Sequence, residues 1–600
     1  MRKAVKPTYV LGIYTGHNAT ACLLRDGRII ACVSEERFNS IKNYLGFPKK
    51  SIGWCLELAK ISSKELDLVV LSSSFSAPIH ASLETKENIS MSMLSTFYLM
   101  VGFVRTSWGR IVFHFPKTRP IGTFLYSIAV RTIGSYTMVR ERKFIAKHLN
   151  IPVSKIVNFE HHLTHGATAY YSSVYNQSQS LVLTLDAEGD KLCSTVSIFE
   201  GNNIKRIAST SREHSLGWIY FYVTKYLGMK PMEHEYKVMG LAPYSKEKDT
   251  LKIYEKIKNI IILDPKNPLK FKAKFNTQDT YYYLKREMGG FRFDNIAGAF
   301  QKLLEDRMTQ WVESAIKKTG IGTVIFSGGV FMNVKANQKI VNLPSVRKCF
   351  FMPSAGDESL PIGSCYLGYI NLANKLGKSV KIYPLEDLYL GPSYSNEDIE
   401  KILRKGNYFN QYKIEKLKDP ENKIAELLSE GKIVARLSGR MEFGARALGN
   451  RSILADPRNI DVVRLINDQM KNRDFWMPFA PSILEERAKD YLVNSKDIDS
   501  DYMMISFDTT KKGRIDLKAA MHPYDFTIRP QVVKENFNPK YYKLLKEFEK
   551  LTGIGGVLNT SFNIHGFPIV LGPKEALYAF QSSGLTHLSV ENYLITKFLN

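Results

Sequence analysis

YVLGIYTGHNATACLLRDGRIIACVSE, residues 9–35, decides the fold. Apolar, β-branched runs flank Asp26-Gly27, a dipeptide that marks a tight hairpin turn. A first strand is expected to end at Gly12, and the polar residues Thr15, Gly16, His17 and Asn18 then form a loop. The same order returns at 181–208, LVLTLDAEGDKLCSTVSIFEGNNIKRIA: strand, Asp/Gly loop, strand, turn, strand. Two β-meanders about 170 residues apart predict a duplicated α/β fold.

Six hundred residues are too many for one core, so two domains or more are expected. Pro, Gly and Ser cluster at 376–395, where the helical pattern stops, and this places a boundary between domains 1–385 and 386–600. A hydrophobic fraction of 44% with 24% charged residues is ordinary for a soluble globular chain. The six cysteines form no CxxC pair and lie in apolar runs, which reads as reduced core thiols in a cytoplasmic protein. The start of the chain is basic but has no long apolar core or cleavage site, so no signal peptide is expected. The apolar stretches 88–104 and 121–130 fall in an insertion, 76–150; at seventeen residues the first is short for a membrane span, and buried helices or an apolar acceptor pocket are preferred. The net charge of +25 favours anionic partners but is spread along the chain.

Residues 160–173, EHHLTHGATAYYSS, hold the strongest metal signal. His161 and His165 are four apart and share one helix face, whereas His162 points elsewhere, towards substrate. Asp186, in the second meander, and Asp357, in PSAGDESLPIG, are the carboxylates to complete the set, and mixed His/carboxylate ligation suits Fe2+, Mn2+ or Zn2+. In EHEYKVMGLAPY (233–244), Lys237 is a cation for phosphates with Glu235 placed to orient it. VIFSGGVFMNVKAN (324–337) runs from a strand into Gly328-Gly329 and on to Asn333 and Asn337, a turn that presents N–H groups to an anion or a base edge.

The second domain is organised around ARLSGRMEFGARALGNRSILADPR, residues 435–458, with five arginines against two acids and glycines at 439, 444 and 449. Guanidinium forks on a glycine-rich loop make an anion pocket. Arg473 follows in NRDFWMPFAPSIL, and Arg529 with Gln531 in HPYDFTIRPQVV. Asn559, Thr560, Ser561 and Asn563 lie on a turn after a strand in GVLNTSFNIHGFPIV, where amides and hydroxyls suit a small planar polar group.

These motifs resemble the O-carbamoyltransferases of the nodulation and antibiotic-tailoring type, over roughly 9–75 and 155–600. The departures are Ala445 for a proline, Gly166 for an alanine, His234 for a glycine, and Trp476 and Met477 in a usually polar stretch. The resemblance implies a duplicated actin-like ATPase domain, of the kind found in tRNA threonylcarbamoyl-transfer proteins, joined to a YrdC-like α/β domain. It implies carbamoyl phosphate as donor, ATP with Mg2+, and iron held by His161, His165 and Asp357, with Asp186. Nucleotide contacts would come from Gly16, His17, Asn18, Lys237, Gly328, Gly329, Asn333 and Asn337. Arg440, Arg446, Arg451, Arg473 and Arg529, with Asn559, Thr560, Ser561 and Asn563, would bind carbamoyl phosphate and ATP in the second domain. Arg446 and Arg451 would assist adenylate formation, and His162 would take a proton from the hydroxyl of a sugar or natural-product acceptor. A homodimer is hinted at.

Three rivals are set against this reading. Threonylcarbamoyl transfer to tRNA would want a focused basic tract or an aromatic platform. An actin-like sugar kinase would need neither the histidine cluster nor the arginine loop. A hydrogenase maturation protein would carry CxxC zinc motifs, and no two cysteines here are three apart.

Overall fold

The structure, a computed structural model, describes residues 6–74, 137–471 and 473–598. The stretches 88–104 and 121–130, with most of the 76–150 insertion, lie outside the described residues. In the first half a five-stranded sheet runs Arg28–Ser34, Thr20–Arg25, Tyr9–Tyr14, Leu68–Leu71, Ile156–Asn158. The first three form the antiparallel meander and the last two add in parallel. The second half repeats this order with Asn203–Ser211, Leu192–Glu200, Ser180–Gly189, Thr323–Ser327 and Lys348–Phe351. The duplication expected from the two meanders is therefore present strand for strand, and this is the actin-like architecture.

One detail differs. The first strand continues past Gly12 to Tyr14. Gly12 is not a strand end but a point of close approach, where a Cβ would press on Pro361 and Cys365 of the helix Leu360–Lys375. That helix packs on His161–Ser172, and Gly363 brings it against Thr164 and Thr168. The strands beneath bury Val10, Leu11 and Ile13 completely, each such side chain adding about 1.5–3 kcal/mol. A buried helix pair on rigid sheets fixes the histidines within a fraction of a turn.

The C-terminal body is a mixed α/β layer built on eight strands. Val434–Leu437 and Arg451–Ala455 pair antiparallel at its centre, with the arginine loop between them, and Gly556–Ser561 lies alongside. The segment 376–395 is irregular yet hydrogen-bonded on both sides. Tyr383 N–H donates to Gly27 O (3.0 Å) and Leu385 N–H to Ser172 O (3.1 Å), while Phe443 N–H reaches back to Leu388 O (2.7 Å). The six cysteines are free, all but Cys349 buried. Among the described residues no helix is long and apolar enough to cross a membrane.

Candidate active site

The helix His161–Ser172 begins at Glu160, whose carboxylate caps it by accepting from the N–H groups of His162 and Leu163. One turn separates His161 from His165, so both imidazoles face the ends of the central strands. There Asp186, from Ser180–Gly189, and Asp357, from the loop before Leu360–Lys375, complete a set whose ligand atoms all lie within 4.8 Å of one another. His165 Nε2 is 3.2 Å from Asp186 Oδ2 and 3.3 Å from Asp357 Oδ1, and His161 Nε2 is 3.6 Å from Asp357 Oδ1. The Nε2 atoms of His161 and His165 are buried and make no hydrogen bond. Buried polar atoms without partners are rare, so two imidazole nitrogens aimed with two carboxylate oxygens at one point fit a divalent cation.

The surrounding contacts fix each ligand. Ser327 Oγ meets His165 Nδ1 at 3.2 Å, Gly329 N–H donates to Asp186 Oδ2 at 3.2 Å, and Tyr14 O–H donates to Asp357 Oδ2 at 2.6 Å. Gly189 is required where it stands, because a Cβ there would collide with the His161 ring. Burial alone would lower the pKa of His165, but the Asp186 and Asp357 carboxylates raise it to about 9. Burial works against the Asp357 carboxylate too, yet His161 and His165 hold it well below the usual range.

His162 leaves this set. Its Nδ1 meets Thr184 Oγ1 at 2.8 Å, its Nε2 makes no hydrogen bond, and the ring lines a cavity of about 450 Å³. The cavity floor is the sheet face carrying Val182, Thr184, Thr195 and Ser197, and the Arg206–Glu160 ion pair stands at its side.

In the C-terminal body the arginines divide into two kinds. Gly439, Gly444 and Gly449 all have positive φ, 57°, 99° and 106°, which is why glycine recurs in this loop. The loop wraps around Glu442, which accepts from the N–H groups of Leu448, Asn450 and Arg451. Arg451 is fully buried and donates to the carbonyls of Leu571, Ser438, Gly439, Asn450 and Pro392. Arg440 donates to those of Gly391, Leu390 and Ile30. Both were expected to hold phosphate; here all three nitrogens of the Arg451 guanidinium, and Nε and Nη2 of Arg440, donate to backbone carbonyls. Arg446 and Arg529 are different. Each has a buried Nε with no partner, and no hydrogen bond or ion pair to either is present among the described residues. Burial, then the charge of Arg473, pushes Arg446 down to about 10. Burial, then Arg446 and Arg473, pushes Arg529 well below the usual arginine range.

Around this cationic trio lies the strand end expected to hold carbamate. Thr560 accepts from Arg473 at 3.2 Å. Lys471 donates to Ser561 and to Asn563 Oδ1, the latter at 2.7 Å. Asn559 lies deeper, its amide N–H group tied to Ala447, Ser482 and Gln531. Sequence reading missed Lys471, a buried lysine two residues before Arg473, and its only signal was that spacing.

Several of the residues expected to meet a nucleotide have partners within the protein. The Gly328 N–H is bonded to Ala355 O and that of Gly329 to Asp186, so this turn has no free N–H pair to offer an anion. Asn333 caps its helix and is locked to Gln301. Asn337 is fully buried and donates to Phe331 and Met504 carbonyls. Lys237 is paired with Asp474 at 2.8 Å across the seam between the two bodies, and Glu235 bonds Met232 N–H instead of orienting it. In the loop Gly16–Asn18, His17 forms a backbone bridge to Leu45, and Asn18 Oδ1 is buried without a hydrogen bond.

The fold and the site define a two-body α/β protein with a candidate metal-ligand set in its first body and a cluster of arginines in its second. The chain belongs to the carbamoyltransferase family: residues 9–366 match the profile of the carbamoyltransferase N-terminus and 425–597 that of the carbamoyltransferase C-terminus. It is 30% identical to an uncharacterized protein of Synechocystis sp. over 98% of this chain and 97% of that one. An uncharacterized protein of Methanocaldococcus jannaschii is 33% identical over 78% of this chain and 77% of its own. The nodulation protein NolNO of Sinorhizobium fredii is 29% identical over 97% of this chain and 79% of its own.

Proposed function

We propose that this carbamoyltransferase uses carbamoyl phosphate and ATP to carbamoylate a hydroxyl of a small molecule, in two steps. In the body we take as 386–600, water cleaves carbamoyl phosphate to phosphate and carbamate. A carbamate oxygen then displaces pyrophosphate from the α-phosphorus of ATP, giving carbamoyl-adenylate. In the body we take as 1–385, the acceptor oxygen adds to the carbamoyl carbon, its proton is removed, and AMP leaves.

The observation that supports this reading is the partly buried trio Arg446, Arg473 and Arg529, in which neither Arg446 nor Arg529 makes a hydrogen bond or ion pair among the described residues. Clustered guanidinium groups with few counter-charges are costly to desolvate, and such a cluster suits a polyanionic ligand that supplies the missing charge. Lys471 orders the Ser561 and Asn563 groups that would hold the planar carbamate. His162 Nε2 is placed to take the hydroxyl proton of an acceptor seated in the cavity it lines. A divalent cation in the His161, His165, Asp186 and Asp357 set, iron by family analogy or manganese or zinc in its place, would act as a Lewis acid towards the carbamoyl carbonyl. Mg2+ accompanies ATP as its usual counter-ion. Six free cysteines support a cytoplasmic setting.

Pyrophosphate release from ATP, with carbamoyl phosphate supplied or withheld and no acceptor added, tests the reading. Release that requires carbamoyl phosphate supports it. Release independent of carbamoyl phosphate, or none from a folded, Mg2+-supplied sample, removes it.

A further inference from the structure

The first strand and the Asp357 loop are 343 residues apart in sequence, yet one side chain joins them. Tyr14, the last residue of that strand, donates its hydroxyl to Asp357 Oδ2 at 2.6 Å. The other oxygen of the same carboxylate, Oδ1, faces His161 and His165 at 3.6 and 3.3 Å. Two oxygens on one carboxylate thus have separate duties, and the phenol decides which is which. Asp186 is set in a parallel way, with Oδ1 accepting from Ala187 N–H at 2.6 Å and Oδ2 turned to His165.

Tyr14 is itself held in place. It precedes the loop Gly16–Asn18, and a Cβ on Gly16 would run into the Tyr14 ring and hydroxyl. The loop backbone therefore packs flush on the phenol, and only glycine permits it. The register of the first strand, set by its pairing with Thr20–Arg25 and Leu68–Leu71, carries through to the orientation of Asp357.

We propose that Tyr14 is the positioning residue of the His161, His165, Asp186 and Asp357 set: it holds Asp357 to a single presented oxygen and couples the Gly16 loop to the cation site. This rests on the metal reading given above. Groups that orient metal ligands in this way are worth 10–100-fold in metal affinity.

The test is titration of the metal-stripped, full-length protein with Mn2+, reading free ion by electron paramagnetic resonance, together with thermal unfolding of the stripped protein. Tyr14→Phe removes only the hydroxyl, and is expected to weaken Mn2+ binding about 10–100-fold with an unfolding midpoint close to wild type. Gly16→Ala displaces the phenol by a different route and is expected to weaken binding in the same direction. Unchanged affinity in Tyr14→Phe, against a wild type that binds one equivalent, overturns the proposal and leaves the metal reading standing. A wild type that binds no equivalent removes the metal reading and the proposal with it.

Discussion

Arg446 and Arg451 stand five residues apart on one loop and are chemically identical, but their surroundings give them opposite tasks. Arg451 has its donors on five carbonyls inside the body, so Arg451→Ala would strip buried acceptors of their partners. Breaking such a network costs about 3–5 kcal/mol, and we expect Arg451→Ala to lower the denaturant midpoint sharply or to give no folded protein. Arg446→Ala removes a partly buried charge that makes no hydrogen bond or ion pair among the described residues, so stability should hold or rise while carbamoyl-phosphate-dependent pyrophosphate release is lost. Urea unfolding and the release assay, run on both variants, check the contrast; loss of stability in Arg446→Ala with Arg451→Ala unaffected would invert the assignment. The sequence placed all these arginines in one glycine-punctuated stretch and gave no means of sorting them. Which guanidinium meets a carbonyl and which meets open space depends on Leu571, Pro392 and Ile30, residues up to about 400 positions away.

At the scale of elements, the meanders were legible because antiparallel hairpins are made by neighbours in sequence, with Asp26-Gly27 marking the turn. The parallel strands Leu68–Leu71 and Ile156–Asn158 complete the sheet by long crossovers and left no comparable mark. The histidine helix was legible from its spacing, and its two carboxylates come from within the strand Ser180–Gly189 and from the turn before the helix Leu360–Lys375. The Gly-Gly turn misled because its N–H groups satisfy Ala355 and Asp186, a commitment visible only in three dimensions. Gly189 shows how closely strand and helix are fitted. Gly189→Ala would drive a methyl group into the His161 imidazole, so we expect bound-metal stoichiometry to fall below one per chain by elemental analysis with the circular dichroism spectrum unchanged. Full metal content in that variant would show that His161 does not sit on the cation.

For the whole molecule, the two bodies share a seam in which charged groups cross over. Lys237 pairs with Asp474, Lys335 with Asp525, and the buried Arg37 donates to Gly444 O at 2.8 Å, on the arginine loop itself. Arg446 also lies within electrostatic reach of Glu358, the neighbour of Asp357. These links between the arginine loop and the first body suit the proposal that an activated intermediate is made in one body and used in the other. The sequence could indicate two bodies but not this seam, because its partners lie on separate domains and no local pattern joins them. The most direct test is carbamoyl-phosphate-dependent pyrophosphate release compared in His165→Ala and Arg473→Ala. Division of labour predicts that His165→Ala keeps release near the wild-type rate while Arg473→Ala loses it at least 100-fold, about 2.7 kcal/mol of transition-state stabilisation. Equal loss in both variants, or loss in His165→Ala alone, would contradict it.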